Sequence, residues 1–361
     1  MRIAVIGTGL IGGSIGLAAV GAGHEVVGFD ADPETLARAL ARGAVGTVVG
    51  DVESAAAGSD LTVVAVPVGS VADAAVAALE AGASVVTDVG SVKGAVVRAV
   101  DARCPDVADR FVAGHPMAGS EQGGIDAARA DLFIGATWVL TPTVDTDDTA
   151  YARVRAVVRD LGAEAVAVTP EEHDVLVALV SHVPQLAAST LMDVAATHEA
   201  RHPALLQLAA GGFRDMTRIA ASHPAIWLDI LAANRDSVLA GLDAYTEALG
   251  AAREWIASGD ADALSGLLAR ARAARRNLPV GVGPAAELVE LRVPVPDRAG
   301  VLAEVTTLAG RLGVNIADVE IAHSLEGRAG VLVLVVPASR AGELADGLRS
   351  LGYAPGRTDL A

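Results

Sequence analysis

The feature that most constrains the fold is the glycine-rich segment IAVIGTGLIGGSIG, in which Gly7, Gly9 and Gly12 follow an apolar run and precede a helical one. Glycines at this spacing allow a tight turn between a strand and a helix. They also let the backbone approach a pyrophosphate at the positive end of the helix. The pattern is informative only in a strand–turn–helix context, which this sequence supplies. It predicts a dinucleotide-binding βαβ unit.

A carboxylate at the end of the second predicted strand indicates which dinucleotide binds. The run VVGFD ends at Asp30, where a carboxylate can bond both hydroxyls of a ribose. Asp30 would repel the extra phosphate of NADP, and Ala31 and Asp32 offer no arginine to bind it. The alternative, a structural glycine turn with Asp30 as a helix cap, is disfavoured by the spacing and context. NAD is therefore the predicted cofactor, and its candidate contacts are Gly7, Gly9, Leu10, Ile11, Gly12, Asp30, Val66 and Pro67.

Three regions with different periodicity follow one another along the chain. Short apolar strands alternate with Ala-rich helices through residues 1–168, which predicts an α/β fold with a Rossmann-type doubly wound sheet of parallel strands, the last at 137–142. Residues 169–280 carry long helical patterns and predict an all-helical domain. After the Pro/Gly-rich linker at 279–287, the order βαββα with a possible last strand predicts a small α+β domain at 287–361.

Composition narrows the class of ligand. The formal net charge of −17 argues against nucleic acid, because phosphate binding requires a basic surface. Charges such as Asp73 and Glu80 interrupt the apolar stretches, so we expect no membrane span. The first residues enter a strand pattern at once, without the features of a signal peptide, and the single Cys104 cannot form an internal disulfide. We expect a cytoplasmic protein that binds small molecules.

Two polar residues follow predicted strands and should face the same crevice. His115, in VAGHPMAGSEQGG, comes directly after the strand at 110–114, and Ser91 follows the strand at 84–90. Ligands bind outside the carboxyl ends of strands in open α/β sheets. His115 is therefore a candidate proton acceptor. Ser91 either caps the helix SVKGAVVRAV or contacts the substrate, and both roles can hold together.

Other histidines and arginines permit several interpretations. HEARH matches the zinc-binding pattern HExxH. Pro203 follows at once, however, and Leu205 stands where the longer zinc motif with a third histidine has glycine. We therefore interpret HEARH as a polar helix end. His182, in an apolar helix, is typical of a core histidine, and His173 and His323 show no accompanying constellation. In GGFRDMTRIAASHPAIW, Arg214 and Arg218 lie one helical turn apart with Asp215 between them. They form either an oriented cation or a solvated charged face.

Five segments taken together resemble the prephenate/arogenate dehydrogenase family of tyrosine biosynthesis: GTGLIGGS, DVGSVKG, GHPMAGSEQGG, SHVPQ and GGFRDMTRIAASHPAIW. The resemblance implies a homodimeric, NAD-dependent oxidoreductase that converts prephenate to 4-hydroxyphenylpyruvate. It also implies that His115 contacts the substrate's ring hydroxyl, that Ser91 supports this contact and that Arg218 binds a substrate carboxylate. The other implied substrate-binding residues are Ser120, Glu121, Ser181, Gln185, Gly211, Asp215 and Trp227.

One position in these segments leaves the substrate open. Many family members that use prephenate have histidine where this chain has Gln185, and an amide there suits either prephenate or arogenate. Prephenate is the favoured substrate and arogenate the alternative. Two alternative functions are a β-hydroxyacid dehydrogenase and an inactive amino-acid sensor. The first gives no reason for GHPMAGSE and GGFRDMTR, and the second gives no reason for the intact Asp30, His115 and Arg218.

The tail PDRAGVLAEVTTLAGRLGVNIADVEI looks like an ACT domain, a module that commonly binds amino acids at subunit interfaces. The resemblance implies an effector site with tyrosine as the expected inhibitor. The alternative is a domain that serves assembly only. The candidate effector contacts are Asp297, Gly300, Val301, Asn315 and Ile316.

Overall fold

A computed structural model describes residues 1–119, 123–199, 202, 204–276, 288–296, 298–316, 318–323 and 329–359. The chain divides into two compact units, Met1–Ala257 and Ser258–Ala361. The first contains the large sheet and most of the helical region, and the second contains the small α+β domain. Ser120, Glu121 and Asp297, and the whole of the predicted linker, lie outside the described residues.

The first unit is built on an eight-stranded sheet with the spatial order β3-β2-β1-β4-β5-β6-β7-β8. This order and the parallel pairing from β3 to β6 confirm the Rossmann-type prediction. The strands are β1 (Arg2–Ile6), β2 (Glu25–Phe29), β3 (Thr47–Val48), β4 (Leu61–Val64), β5 (Val86–Asp88), β6 (Phe111–Pro116), β7 (Thr137–Thr141) and β8 (Glu164–Ala167).

One prediction about this sheet is wrong. The sequence analysis continues the parallel pattern through 137–142, whereas β7 pairs antiparallel with β6. A parallel connection requires a long crossover, usually a helix. The described part of the β6–β7 connection has only the short 3₁₀ turn Ile125–Ala127, so β7 returns beside β6 in the opposite direction.

Helices cover both faces of the sheet: α1 (Leu10–Gly21), α2 (Pro33–Ala41), α3 (Val52–Ala56), α4 (Val68–Glu80), α5 (Gly94–Arg103) and α6 (Asp148–Asp160). Successive side chains of a strand point to opposite faces. Ile3 and Val5 of β1 therefore enter one buried cluster, while Ala4 and Ile6 enter the other. Both faces of β1 are buried, which explains why this strand is a continuous apolar run.

The rest of the first unit is helical: α7 (Pro170–Val177), a π-helical turn (Ala178–His182), α8 (Val183–Glu199), α9 (Gly211–Thr217), a 3₁₀ turn (Arg218–Ala221), α10 (Pro224–Ala233) and α11 (Arg235–Ser258). Thr169 and Glu172 form a capping box that begins α7. By length and composition alone, Pro170–Glu199 could cross a membrane. Within this stretch, 33% of the most apolar window is buried inside the protein, and the polar residues His173, Asp174 and His182 are buried.

The second unit begins with α12 (Ala261–Arg276) and continues with β9 (Leu288–Pro296), α13 (Val301–Arg311), β10 (Asp318–His323), β11 (Ala329–Pro337), α14 (Ala338–Ser350) and β12 (Gly356–Asp359). The four strands form an antiparallel sheet in the order β10-β11-β9-β12. Leu291 and Leu334 of the sheet pack with Val305 and Leu344 of the two helices. The βαββαβ order, including the last strand, is as predicted.

Candidate functional site

The glycine-rich turn between β1 and α1 combines two tightly packed glycines with one open one. Gly7 has a φ of +87°, and a Cβ there would lie 2.4 Å from the carbonyl oxygen of Ala65. A Cβ on Gly12 would lie 1.8 Å from the carbonyl oxygen of Gly7. Gly9, in contrast, has no described atom within 4 Å of its Cβ position. The turn therefore requires Gly7 and Gly12 for its own packing, while Gly9 leaves free space before α1, where a pyrophosphate fits.

Asp30 holds this turn in place from the end of β2. Its Oδ2 accepts hydrogen bonds from the backbone N of Thr8 at 2.6 Å and from Thr8 Oγ1 at 3.0 Å, and Oδ1 accepts one from Asp32 N at 3.0 Å. A carboxylate has about four acceptor positions, so a further bond to a ribose hydroxyl is compatible with these three. Asp30 thus has a structural role that the sequence analysis did not foresee.

The other predicted cofactor contacts surround the same turn. Leu10 and Ile11 form the first turn of α1 and are half-buried. Val66 follows β4, and its Cγ1 lies 3.1 Å from the Cβ position of Gly7. Pro67 is the residue that caps α4. The residues present therefore fit a dinucleotide that lies across the carboxyl ends of β1, β2 and β4.

His115 lies near the end of β6 and forms a hydrogen bond to a second histidine. Its Nδ1 is 2.9 Å from Nε2 of His173, a buried residue of α7, and the two rings meet edge to face. Nδ1 of His173 is in turn 2.9 Å from Oδ1 of Asp174. The interpretation that His173 has no constellation is therefore wrong. Its partners are distant in sequence and meet because α7 packs against α5 and β7.

Asp174 connects α7 to the beginning of α5. Its Oδ1 accepts a hydrogen bond from Lys93 N at 2.8 Å and its Oδ2 accepts one from Gly94 N at 2.9 Å. Burial raises the pKa of this carboxyl, but the hydrogen bonds from His173, Lys93 and Gly94 outweigh burial and hold the pKa below its ordinary value. Asp174 is therefore an anion at neutral pH.

The same contact overturns one role predicted for Ser91. The helix begins at Gly94, Lys93 is its N-cap residue, and no side chain of its own caps it. The carboxylate of Asp174, from another helix, takes the place that Ser91 would have filled. Ser91 is half-buried after β5, and its side chain has no hydrogen bond to the part of the chain that the structure describes.

Lys93, the only lysine in the sequence, is completely buried. Its Nζ pairs with Asp88 Oδ2 and donates to the carbonyl oxygen of Gly114 at 2.7 Å. Asp88 also accepts hydrogen bonds from the backbone N of Gly90 at 2.8 Å and of Gly114 at 3.1 Å. Burial lowers the pKa of Lys93, and Asp88 partly opposes this. The pair ties together the ends of β5 and β6, directly before His115.

These surroundings keep His115 neutral. Burial, followed by the charge of Lys93 and by His173 and His182, lowers the pKa of His115 well below 6.5. Burial also lowers the pKa of His182 to about 4. His182 is buried, accepts a hydrogen bond from Asn234 Nδ2 at 3.3 Å and meets the edge of the Trp227 ring, which confirms its interpretation as a core histidine. A neutral imidazole at the end of a strand can accept a proton.

The remaining predicted substrate residues occupy the helical region. Ser181 is half-buried in the π-helical turn, a distortion that is frequent at functional sites. Gln185 is 5% exposed; its Nε2 donates to Ser189 Oγ at 3.3 Å, and its Oε1 has no hydrogen-bond partner among the described residues. Gly211, Asp215 and Arg218 are exposed on α9 and the 3₁₀ turn. No described hydrogen bond joins Gly211 or Asp215 to the His115 network, so their roles stay predictions.

The candidate effector residues of the second unit lie around α13. Gly300, with a φ of +92°, caps this helix, and Val301 is buried in its first turn. Asn315 and Ile316 precede β10, the first exposed and the second half-buried. In HEARH, His198 is exposed and lies with Nδ1 2.9 Å from the carbonyl oxygen of Val194, while Ala200 and Arg201 lie outside the described residues. Within the described ranges, no three potential metal ligands come together.

Family comparisons match most of the first unit and extend beyond it. Residues 15–167 match the domain described as prephenate dehydrogenase, nucleotide-binding domain, and residues 169–270 match prephenate dehydrogenase, dimerization domain. A prephenate dehydrogenase of Bacillus subtilis is 34% identical over 91% of this chain and 90% of its own length. A cyclohexadienyl dehydrogenase of Zymomonas mobilis is 35% identical over 73% of this chain and 91% of its own.

Solved structures give the same result. Prephenate dehydrogenase from Aquifex aeolicus, in complex with hydroxyphenyl propionate and NAD⁺, superposes with a TM-score of 0.72 at 28% identity. The match covers 77% of this chain and 98% of that one. Synechocystis arogenate dehydrogenase superposes with a TM-score of 0.67 at 29% identity, covering 76% of this chain and 99% of that one.

Proposed function

The chain belongs to the prephenate dehydrogenase family, and we propose that it catalyses the NAD-dependent oxidative decarboxylation of prephenate to 4-hydroxyphenylpyruvate in tyrosine biosynthesis. The observation that carries this proposal is the neutral His115, held at the end of β6 on the same edge of the sheet as a glycine turn that fits a dinucleotide. NAD supplies a hydride acceptor when it is bound. Gly7, Gly9, Gly12 and Asp30 would hold it at the glycine-rich turn.

His115 takes the proton of the ring hydroxyl as the carbon that bears it loses a hydride. A carbonyl forms at that carbon. Carbon dioxide then leaves from the ring carbon opposite as the ring becomes aromatic, and the carbonyl oxygen takes back a proton to become the phenol hydroxyl. The sum is prephenate and NAD⁺ giving 4-hydroxyphenylpyruvate, carbon dioxide and NADH. An imidazole that stays neutral at physiological pH suits the proton transfer. Arg218 orients a carboxylate of the substrate, and Ser91 supports the contact of His115. Ser120 and Ser181 supply polar contacts, and Glu121 with Asp215 holds Arg218 in an ionic network. Gly211 and Trp227 shape the pocket.

Arogenate is the second candidate substrate, and Gln185 is the observation that favours it. The buried Oε1 of Gln185 has no described partner, while its Nε2 already donates to Ser189. A free amide oxygen matches the ammonium group that arogenate carries where prephenate has a keto group. An unpaired buried acceptor is costly until it binds a donor.

The proposal extends to assembly and regulation. The match of residues 169–270 to a dimerization domain supports a homodimer. The βαββαβ topology of the second unit supports an ACT domain with tyrosine as its effector. We further propose a division into a cofactor domain (1–168), a helical domain (169–280) and an ACT domain (287–361), in a cytoplasmic enzyme without nucleic-acid or membrane partners.

NADH formation with prephenate and arogenate in parallel reactions tests the activity. His115→Asn should keep its affinity for NAD⁺ and lose roughly 10² to 10⁴-fold in kcat. Gln185→His should change the ratio of kcat/KM for the two substrates, whereas Ser189→Ala, a matched change beside the amide, should change it less. Absence of turnover with both substrates, in protein that binds NAD⁺, would refute the proposal. Tyrosine that alters neither the rate nor the thermal stability would remove it as the effector.

A further inference from the structure

We propose that His173 and Asp174 are positioning residues that fix the tautomer of His115, so that its Nδ1 carries the proton and its Nε2 is free to accept one. The tautomer itself follows from the hydrogen bonds of the folded protein. Only its catalytic consequence rests on the function proposed above.

Asp174 sets the direction of the hydrogen bonds. The backbone N–H groups of Lys93 and Gly94 each donate to one of its oxygens, at 2.8 and 2.9 Å. Neither backbone N–H group can accept a proton, and hydrogen bonds to a carboxylate favour its charged form. Asp174 can therefore act only as an acceptor toward His173.

The direction then passes through two rings. His173 donates from Nδ1 to Asp174, and since a neutral imidazole has one N–H, its Nε2 carries the lone pair. His115 must donate from Nδ1 to that lone pair across 2.9 Å. The lone pair of His115 is consequently at Nε2, on the side of the ring away from α7. Without these two hydrogen bonds, either nitrogen of His115 could hold the proton. The tautomer that is protonated at Nε2 cannot accept a proton from the substrate there.

The surroundings of His115 disfavour its protonated form, and the hydrogen bonds to His173 and Asp174 partly offset this. Burial and the nearby charge of Lys93 disfavour a positive charge on this ring, and the carboxylate of Asp88 is paired with Lys93. When His115 accepts a proton, its Nδ1–H bond to His173 strengthens, because hydrogen bonds from charged donors are stronger. Asp174 behind His173 then offsets the new charge. The arrangement follows the logic of a base that is oriented by a second group.

A purely structural role is the competing explanation, because Asp174 also caps α5 and Asn234 Nδ2 donates to its backbone carbonyl at 2.7 Å. Nitrogen-15 NMR of the histidine rings tests the tautomer in the unmodified protein, and the kinetics below separate the two explanations. Eight histidines give at most sixteen ring nitrogen signals, two for each ring, and comparison with His115→Asn assigns those of His115. We expect a protonated Nδ1 and an unprotonated Nε2. A protonated Nε2 would overturn the proposal, whether or not any variant folds.

Kinetics tests the consequence. Asp174→Asn can donate its amide to His173 and reverse both tautomers. We expect a loss of roughly 10² to 10⁴-fold in kcat, with KM and the Kd for NAD⁺ changed by less than about threefold. Its NMR spectrum should show the proton of His115 moved to Nε2. An unchanged kcat, or equal losses in NAD⁺ affinity and kcat, would contradict a positioning role.

A matched pair of substitutions at His173 gives the rescue test. His173→Gln offers an amide oxygen that can accept from His115 Nδ1, and His173→Leu does not. The glutamine variant should stay within about tenfold of the wild-type kcat, and the leucine variant should lose on the order of 10²-fold. Equal kcat values for the two variants would refute the acceptor role of His173. If the wild-type protein converts neither prephenate nor arogenate, the proposed function fails, while the NMR result still decides the tautomer.

Discussion

Alanine at Gly9 should weaken the binding of NAD⁺, whereas alanine at Gly12 should lower the stability of the fold. Gly9 has a φ of −67°, which alanine adopts without strain, and no described atom lies within 4 Å of its Cβ position. Gly12 would place its Cβ 1.8 Å from the carbonyl oxygen of Gly7. Alanine at Gly9 therefore fills space that a bound dinucleotide needs, and alanine at Gly12 collides with the backbone of the protein itself.

The sizes of the two effects follow from these distances. For Gly9→Ala we expect a change in the free energy of unfolding of at most about 1 kcal/mol, because the residue caps α1 and alanine is a poorer cap than glycine. Its Kd for NAD⁺ should rise on the order of 10²-fold, equivalent to about 3 kcal/mol, because the methyl group holds the pyrophosphate away from the helix end. Gly12→Ala should lose about 3 kcal/mol of stability or more, since a backbone oxygen cannot move aside cheaply.

Urea unfolding and calorimetric titration with NAD⁺ measure the two quantities on the same preparations. The expected result is a stable Gly9→Ala protein that binds NAD⁺ poorly and a Gly12→Ala protein with a lowered unfolding midpoint. Gly21→Ala, in the last turn of α1 with no described atom near its Cβ position, is the matched control; it should leave the Kd for NAD⁺ unchanged and raise stability by at most about 1 kcal/mol. Wild-type NAD⁺ affinity in Gly9→Ala would refute this account of the turn.

Three further predictions concern the buried charges. Lys93→Met should cost about 3 to 5 kcal/mol of stability because it leaves the carboxylate of Asp88 buried and unpaired, and urea unfolding should show partial recovery in the double variant with Asp88→Asn. Because the pKa of His115 lies well below 6.5, kcat/KM should stay level as pH falls to 6.5 and decline only below it. In Lys93→Met this decline should move to higher pH, since the charge that lowers the pKa of His115 is gone; an unmoved profile would contradict that cause. His182 has a folded-state pKa of about 4, so the unfolded chain binds more protons below 6.5, and stability should fall as pH drops from 6.5 to 4. His182→Gln should show a flatter dependence in pH-dependent thermal unfolding, and an equally steep one would contradict it.

The cofactor end was largely predictable because its determinants are local. Gly7, Gly9 and Gly12 lie within one turn of chain, and Asp30 follows the next strand at a fixed spacing. The same local logic identified His115 as a residue at a strand end. It failed at β7, where the direction of a strand depends on what connects it to β6. The pattern of a single strand does not contain that information.

The partners of His115 were not predictable in this way. His173 is 58 residues from His115, and Asp174 meets Lys93 across 81 residues. The dipeptide His173–Asp174 in a helix resembles an ordinary polar helix surface, and only the packing of α7 on α5 buries it. The signal that could have drawn attention was Lys93, the single lysine in a chain whose other basic residues are arginines, next to a predicted strand end.

The hydrogen bonds from the first N–H groups of α5 to Asp174 couple the position of the helical region to the state of His115. If α7 moved away from α5, Asp174 would leave Lys93 and Gly94, His173 would lose its acceptor and His115 would lose its defined tautomer. A motion that separated α7 from α5 would therefore remove the hydrogen bonds that prepare His115 to accept a proton. A chimera that exchanges the helical region for a relative's must preserve these hydrogen bonds to keep His115 in its defined tautomer.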